Sequence, residues 1–154
     1  MHFDALYTRN DYTIQSLSDT NYPLLAQKGN ELGIRALYPN YLQMFDEQNI
    51  DVVSVLTPHY IHGDCVMEAL ARGKTVICEK PIATTLSDIE KMIRAAERAK
   101  RHIYVKQYLR HSLAYQKAQR VLTEETIGKP YFVQCTFTSN SVGDYANPDT
   151  WRGN

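Results

Sequence analysis

Glu79-Lys80-Pro81 sets an acid, a base and an imino acid where the apolar run Val76-Ile77-Cys78 stops. A lysine held there can hydrogen-bond a hydroxyl or carbonyl oxygen and exchange a proton with it. Glu79 can orient that lysine. Pro81 fixes the backbone on one side and permits a cis bond. The same residues also make an ordinary surface turn whose solvated ion pair is worth little. Spacing alone leaves both readings open. Thr57-Pro58-His59 and His62 follow a second apolar run, Val52 to Leu56. A threonine hydroxyl and free backbone groups there could line a ligand's phosphates, or the stretch is a plain loop with Thr57 or His59 near a helix cap. His59 and His62 could share a metal, but no ligand set is complete around them, and we expect none. Asp19 follows the stretch YTIQSLS. Its carboxylate could accept two sugar hydroxyls, or it closes a turn, since Asp-Thr-Asn is turn-prone.

These groups share a place in the pattern, because each follows a predicted strand. The strands expected are 12–19, a short piece at IRALY, 50–58, the run KTVICEKP and 102–109, which leads to Gln107 and Arg110. Helices are expected between them. Residues 22–33 carry Leu24, Leu25, Lys28 and Leu32 on one face and end on Gly33; 39–49 has Pro39 early; 62–73 closes on Gly73. Ser87 and Glu90 read as a capping box for a helix with Ile89, Met92, Ile93 and Ala96 inward. Residues 112–125 place Ala114, Ala118, Val121 and Leu122 inward. Val52, Val53, Val55 and Leu56 are nearly continuous, as in a strand covered on both faces. Strands alternating with helices from 12 to 125 predict βαβ units and a parallel sheet, which binds ligands beyond its C-terminal strand ends. Four such ends would then converge on one rim. After IGKP the texture changes. Residues 131–140 alternate, with Tyr131, Val133, Cys135 and Phe137 on one side, as in a half-exposed antiparallel strand. A boundary near Gly128 divides 1–127 from 128–154.

Composition excludes several alternatives. The 154 residues are 44% apolar and 22% charged, with 17 basic and 17 acidic side chains, so the chain reads as globular. No overall basic field points to nucleic acid or an anionic membrane, and no apolar run approaches a span. Cys65, Cys78 and Cys135 are widely spaced and odd in number, which argues for free thiols in a reducing compartment and a cytoplasmic setting.

The residues from Asp51 to Arg101 closely resemble the Gfo/Idh/MocA family of nicotinamide-dependent sugar and polyol oxidoreductases. The matching marks are V-S-V-x-T-P, His62, A-L-A-R-G-K and E-K-P with its following helix; GIRALYPNYLQMFDEQNID, Q-Y-L-R and IGKP fit in order. The resemblance implies an α/β fold: an incomplete Rossmann-type parallel sheet followed by the start of an α+β antiparallel-sheet domain. It implies that Lys80 is the catalytic lysine and that Thr57, Pro58, His59, His62, Glu79, Lys80 and Gln107 line the cofactor groove. Asp19 fits the acid that binds the cofactor ribose, favouring NAD over NADP. Trp151 and Arg152 resemble a pair that approaches the active site from the second domain. The implied partner is a sugar-like small molecule, and the family's antiparallel sheet commonly serves homo-oligomer contacts.

The departures narrow this expectation. No G-x-G-x-x-G turn and no D-x-x-x-H motif occur in the sequence, although the family uses the first to cradle the pyrophosphate and the second to assist the lysine. We therefore expect an interior fragment or truncated product, with two unpaired strand edges in its sheet, weak NAD binding and little activity. A central strand's loss would remove about four buried apolar side chains, at roughly 1.5–3 kcal/mol each. The competing reading is a non-catalytic interaction or scaffold product that kept the fold and lost cofactor binding.

Overall fold

The structure is a computed structural model that describes residues 11–136 and 138. The chain divides into two compact units, one ending at Lys106 and one beginning at Gln107. The boundary expected near Gly128 falls inside the second unit.

The first unit alternates strands and helices: β1 (Ser16–Ser18), α1 (Tyr22–Leu32), β2 (Ala36–Tyr38), α2 (Tyr41–Glu47), β3 (Val52–Val55), α3 (His62–Ala71), β4 (Thr75–Cys78), α4 (Leu86–Ala99) and β5 (Ile103–Val105). Every strand pair is parallel, as βαβ connections require. Among the described residues the strands form two sheets, β1-β2 and β3-β4-β5, and not one continuous sheet. The register sets Val55 beside Cys78 and Cys78 beside Val105, so the strand ends of the larger sheet are level.

Local chemistry explains the helix limits. Asn21 caps α1 by accepting the Leu24 amide at 3.1 Å, Pro23 lies in its first turn, and Gly33 ends it in the left-handed region at φ 69°. Leu25 and Gly29 face inward, while Leu24, expected on that face, is exposed. A Cβ on Gly29 would lie 2.8 Å from the Leu37 side chain and 2.9 Å from the Ile34 carbonyl oxygen, so the missing side chain lets α1 lie close to β2. Asn40 caps α2, which leaves Pro39 just outside that helix and not early in it. α4 starts earlier than the expected Ser87–Glu90 box. Thr85 is the cap: its hydroxyl oxygen accepts the Asp88 amide and its O–H donates to the Asp88 carboxylate at 2.8 Å. Thr85 is extended, as a cap must be, whereas Ser87 is already helical.

The core lies where β3 and β4 meet α3 and α4. It contains Val53, Val55, Cys65, Val66, Ala69, Leu70, Val76, Cys78, Met92 and Ala95, with Phe45 from α2. α3 supplies four apolar residues to it because its inner face packs against both the sheet and α4. The stripe of α4 is rotated from expectation, with Met92 and Ala95 inward and Ile93 exposed. β3 is not covered on both faces: Val53 and Val55 are buried, but Val52 is 42% exposed and Leu56 43%. A nearly continuous apolar run marked the strand and could not reveal that Val52 and Leu56 stay exposed.

The second unit opens with a 3-10 turn, Tyr108–His111, and continues as α5 (Leu113–Thr123). No residue of α5 is buried, so the inward face expected from Ala114, Ala118, Val121 and Leu122 has no cover. Residues 131–136 and 138 form no strand. Their alternation is real, but a strand exists only with a partner to take its backbone bonds. The rest of the expected 131–140 strand lies outside the described residues. Cys135 is accordingly exposed, whereas Cys65 and Cys78 are buried.

Candidate functional site

Lys80 stands on the turn that leaves β4. The Glu79 amide donates to the Val55 carbonyl at 3.0 Å, and the Lys106 amide donates to the Cys78 carbonyl at 2.9 Å. β4 is therefore held between β3 and β5 up to the residue before Lys80. The Lys80–Pro81 bond is cis. Glu79 does not pair with its neighbour. One of its carboxylate oxygens accepts the Lys80 amide at 3.1 Å, and the other lies 3.2 Å from Lys106 Nζ. Lys80 is exposed, and its ammonium has no hydrogen-bond or ion-pair partner among the described residues. The solvated Glu79–Lys80 pair of the surface-turn reading is thus not what forms.

His62 lies beneath this turn. It is 1% exposed, and its two ring nitrogens each sit 2.8 Å from a main-chain carbonyl oxygen, Nδ1 from Pro81 and Nε2 from Thr57. It ties the loop after β3 to the turn after β4 and has no free ring nitrogen for a ligand. A neutral imidazole can donate to only one of these acceptors. The Thr57 side chain is close by: its Oγ1 is shielded from solvent and makes no hydrogen bond of ordinary geometry. Burial pushes the neighbouring Cys65 thiol up, and Tyr41 and Thr57 offset this in part. Burial pushes the Cys78 thiol up to about 12, with smaller contributions from Cys65 and Glu79. Both thiols stay protonated at neutral pH, which makes them packing groups and not nucleophiles.

The remaining expected residues are distributed as follows. Asp19 follows β1, and its amide donates to the Tyr38 carbonyl at 3.2 Å. One carboxylate oxygen accepts the Asn21 amide at 2.8 Å, so the turn reading holds for half of this group, while the other oxygen has no partner among the described residues. Pro58 begins the short turn His59–Ile61, its carbonyl accepting the Ile61 amide at 3.0 Å. His59 is half-buried, with its ring against Tyr60. Gln107 belongs to the second unit, where its carbonyl accepts the Arg110 amide at 3.0 Å. Trp151 and Arg152 lie outside the described residues. The described rim is thus built from the ends of β3, β4 and β5.

Lys106 went unnoticed in the sequence. It directly follows β5 beside the end of β4, and its charge opposes that of Glu79, the residue after that neighbour; only the strand order brings the two together. Among the described residues, no three His, Cys, Asp or Glu side chains gather as metal ligands.

Lys80 Nζ and the second Asp19 oxygen are a cation and a carboxylate oxygen without partners among the described residues, each just beyond a parallel strand. The sequence holds no G-x-G-x-x-G turn. Parallel strands joined by crossover helices define an α/β protein of the Rossmann type. Residues 1–107 match the oxidoreductase family with an NAD-binding Rossmann fold (GFO_IDH_MocA), and the chain belongs to that family. It is 32% identical over 138 residues to the D-apiose dehydrogenase of Paraburkholderia graminis, covering 90% of this chain and 37% of that protein. It is 25% identical over 136 residues to the myo-inositol 2-dehydrogenase of Thermotoga maritima, covering 88% of this chain and 41% of the relative. The chain therefore spans about two fifths of the length of these relatives. Among solved structures it is similar to an oxidoreductase from Agrobacterium radiobacter in complex with NAD+, L-tartaric acid and magnesium, with a TM-score of 0.79 and 28% identity over 84% of this chain and 38% of that one.

Proposed function

We propose that the chain forms part of an enzyme that transfers hydride between a nicotinamide cofactor and a sugar- or polyol-like hydroxyl, with Lys80 as its catalytic residue. The observation that carries this reading is the Lys80 ammonium, without a partner among the described residues, on a turn fixed from three sides, by Val55, by Lys106 and by the His62 brace. The relatives' activities on apiose and inositol support the substrate class. When bound, the nicotinamide supplies the hydride acceptor or donor. Lys80 holds the substrate hydroxyl and polarises or deprotonates it. Asp19 binds ribose hydroxyls through its open oxygen, and a carboxylate there repels a 2′-phosphate, which favours NAD over NADP. Thr57, Pro58, His59 and Glu79 shape the groove wall, and His62 supports it from behind. A cytoplasmic setting suits the free thiols, and no described helix is long and apolar enough to cross a membrane.

The 154-residue chain by itself binds NAD weakly and turns over little, because the glycine turn and the Asp/His partners of the lysine are not in its sequence. The test is a chimera in which a relative supplies those parts. Lys80→Ala in the chimera should cut turnover by about 10²-fold or more, the usual worth of a positioned acid–base group, and leave NAD affinity within a few-fold. Unchanged turnover would remove Lys80 from catalysis.

A further inference from the structure

We infer that Lys106 is a positioning residue that keeps Lys80 available by occupying the carboxylate of Glu79. This rests on Lys80 being the working group of the proposed site, but the electrostatic relation can be measured without cofactor or turnover.

Glu79 and Lys80 are adjacent in sequence, and opposite charges so placed on a turn would ordinarily find each other. Here the two oxygens of Glu79 are otherwise committed, one to the Lys80 main-chain amide at 3.1 Å and one to Lys106 Nζ at 3.2 Å. Lys106 can reach because β5 runs parallel to β4, and its own amide closes the last bond between them, to the Cys78 carbonyl. The pair is only partly exposed, 28% at Lys106 and 29% at Glu79, so solvent screens it less than an open surface pair. Lys106 thus serves the turn twice. It steadies the carboxylate that caps the Lys80 amide, and it holds the anion adjacent in sequence to the Lys80 ammonium. Without Lys106, that carboxylate loses one of its charged contacts and can turn toward Lys80.

Amine acylation of the intact chain tests this. A small neutral acylating reagent is applied at fixed pH, and the rate at each lysine is read by peptide mass mapping. Lys106→Met should slow modification of Lys80 about two- to fivefold, the worth of an exposed ion pair. Adding Glu79→Gln to that variant should restore the wild-type rate, and Lys106→Arg should leave it unchanged. Lys74, which is buried, reports folding and should stay unmodified throughout. An unchanged Lys80 rate in Lys106→Met, or a slowed rate that Glu79→Gln does not restore, overturns the inference. If Lys106→Met exposes Lys74, the Glu79→Gln single variant decides: its Lys80 rate should equal that of the wild type, and a rate raised more than twofold would show that Glu79 holds Lys80 already. Loss of the proposed hydride transfer in the chimera would leave these rates untouched, so the two readings fail separately.

Discussion

At the scale of residues, the site depends on side chains that do not touch a ligand. His62 holds the Thr57 and Pro81 carbonyls together from a position closed to solvent. Replacing it with Phe keeps a ring and removes both ring nitrogens from the two carbonyls. We expect a loss of about 1–3 kcal/mol in stability, measured by urea denaturation, whereas His62→Gln recovers part of that loss through its amide N–H. The thiols give a sharper reading. A disulfide-exchange reagent should modify Cys135 quickly in the native chain and reach Cys65 and Cys78 only after unfolding; three fast thiols would contradict the core described. Because burial holds the Cys78 proton more tightly in the folded chain, its contribution is intact below the ordinary thiol value of 9 and is lost as pH rises toward about 12. Tyr41, raised to about 12 chiefly by burial, acts in the same direction. Stability measured against pH should therefore be level near neutrality and fall above about 9. The place of Lys80 after a strand was legible in the sequence. The Lys106–Glu79 pair was not, because it depends on which strand lies beside which.

At the scale of elements, local chemistry and tertiary cover contributed differently. Gly33 and Gly73 marked helix limits because left-handed residues act over three or four positions that a reader can see. Thr85 was overlooked for Ser87, since Thr84-Thr85-Leu86-Ser87 offers several hydroxyls and only backbone conformation selects one. Thr85→Ala should cost about 1 kcal/mol in thermal or chemical denaturation, and Ser87→Ala close to nothing; the opposite ranking would restore the box at Ser87. The exposed faces of β3 and α5 mark the limit of periodicity as a guide. A pattern states that an element has an apolar side, and it does not state what lies against that side.

At the scale of the whole molecule, parallel strands with crossover helices place the ends of β3, β4 and β5 level, and that is why residues from separate strands share a rim. The break between β1-β2 and β3-β4-β5 is consistent with a sequence that contains no glycine-rich strand–turn. On the proposed reading, Asp19 and Lys80 serve the ribose and the reacting carbon, and the sequence offers no G-x-G-x-x-G turn for the pyrophosphate. The most direct measurement is an isothermal titration of NAD into the 154-residue chain, repeated with Asp19→Asn. The account predicts saturable binding weaker than micromolar that Asp19→Asn weakens further. Micromolar binding by the wild-type chain, or binding indifferent to Asp19, would contradict it.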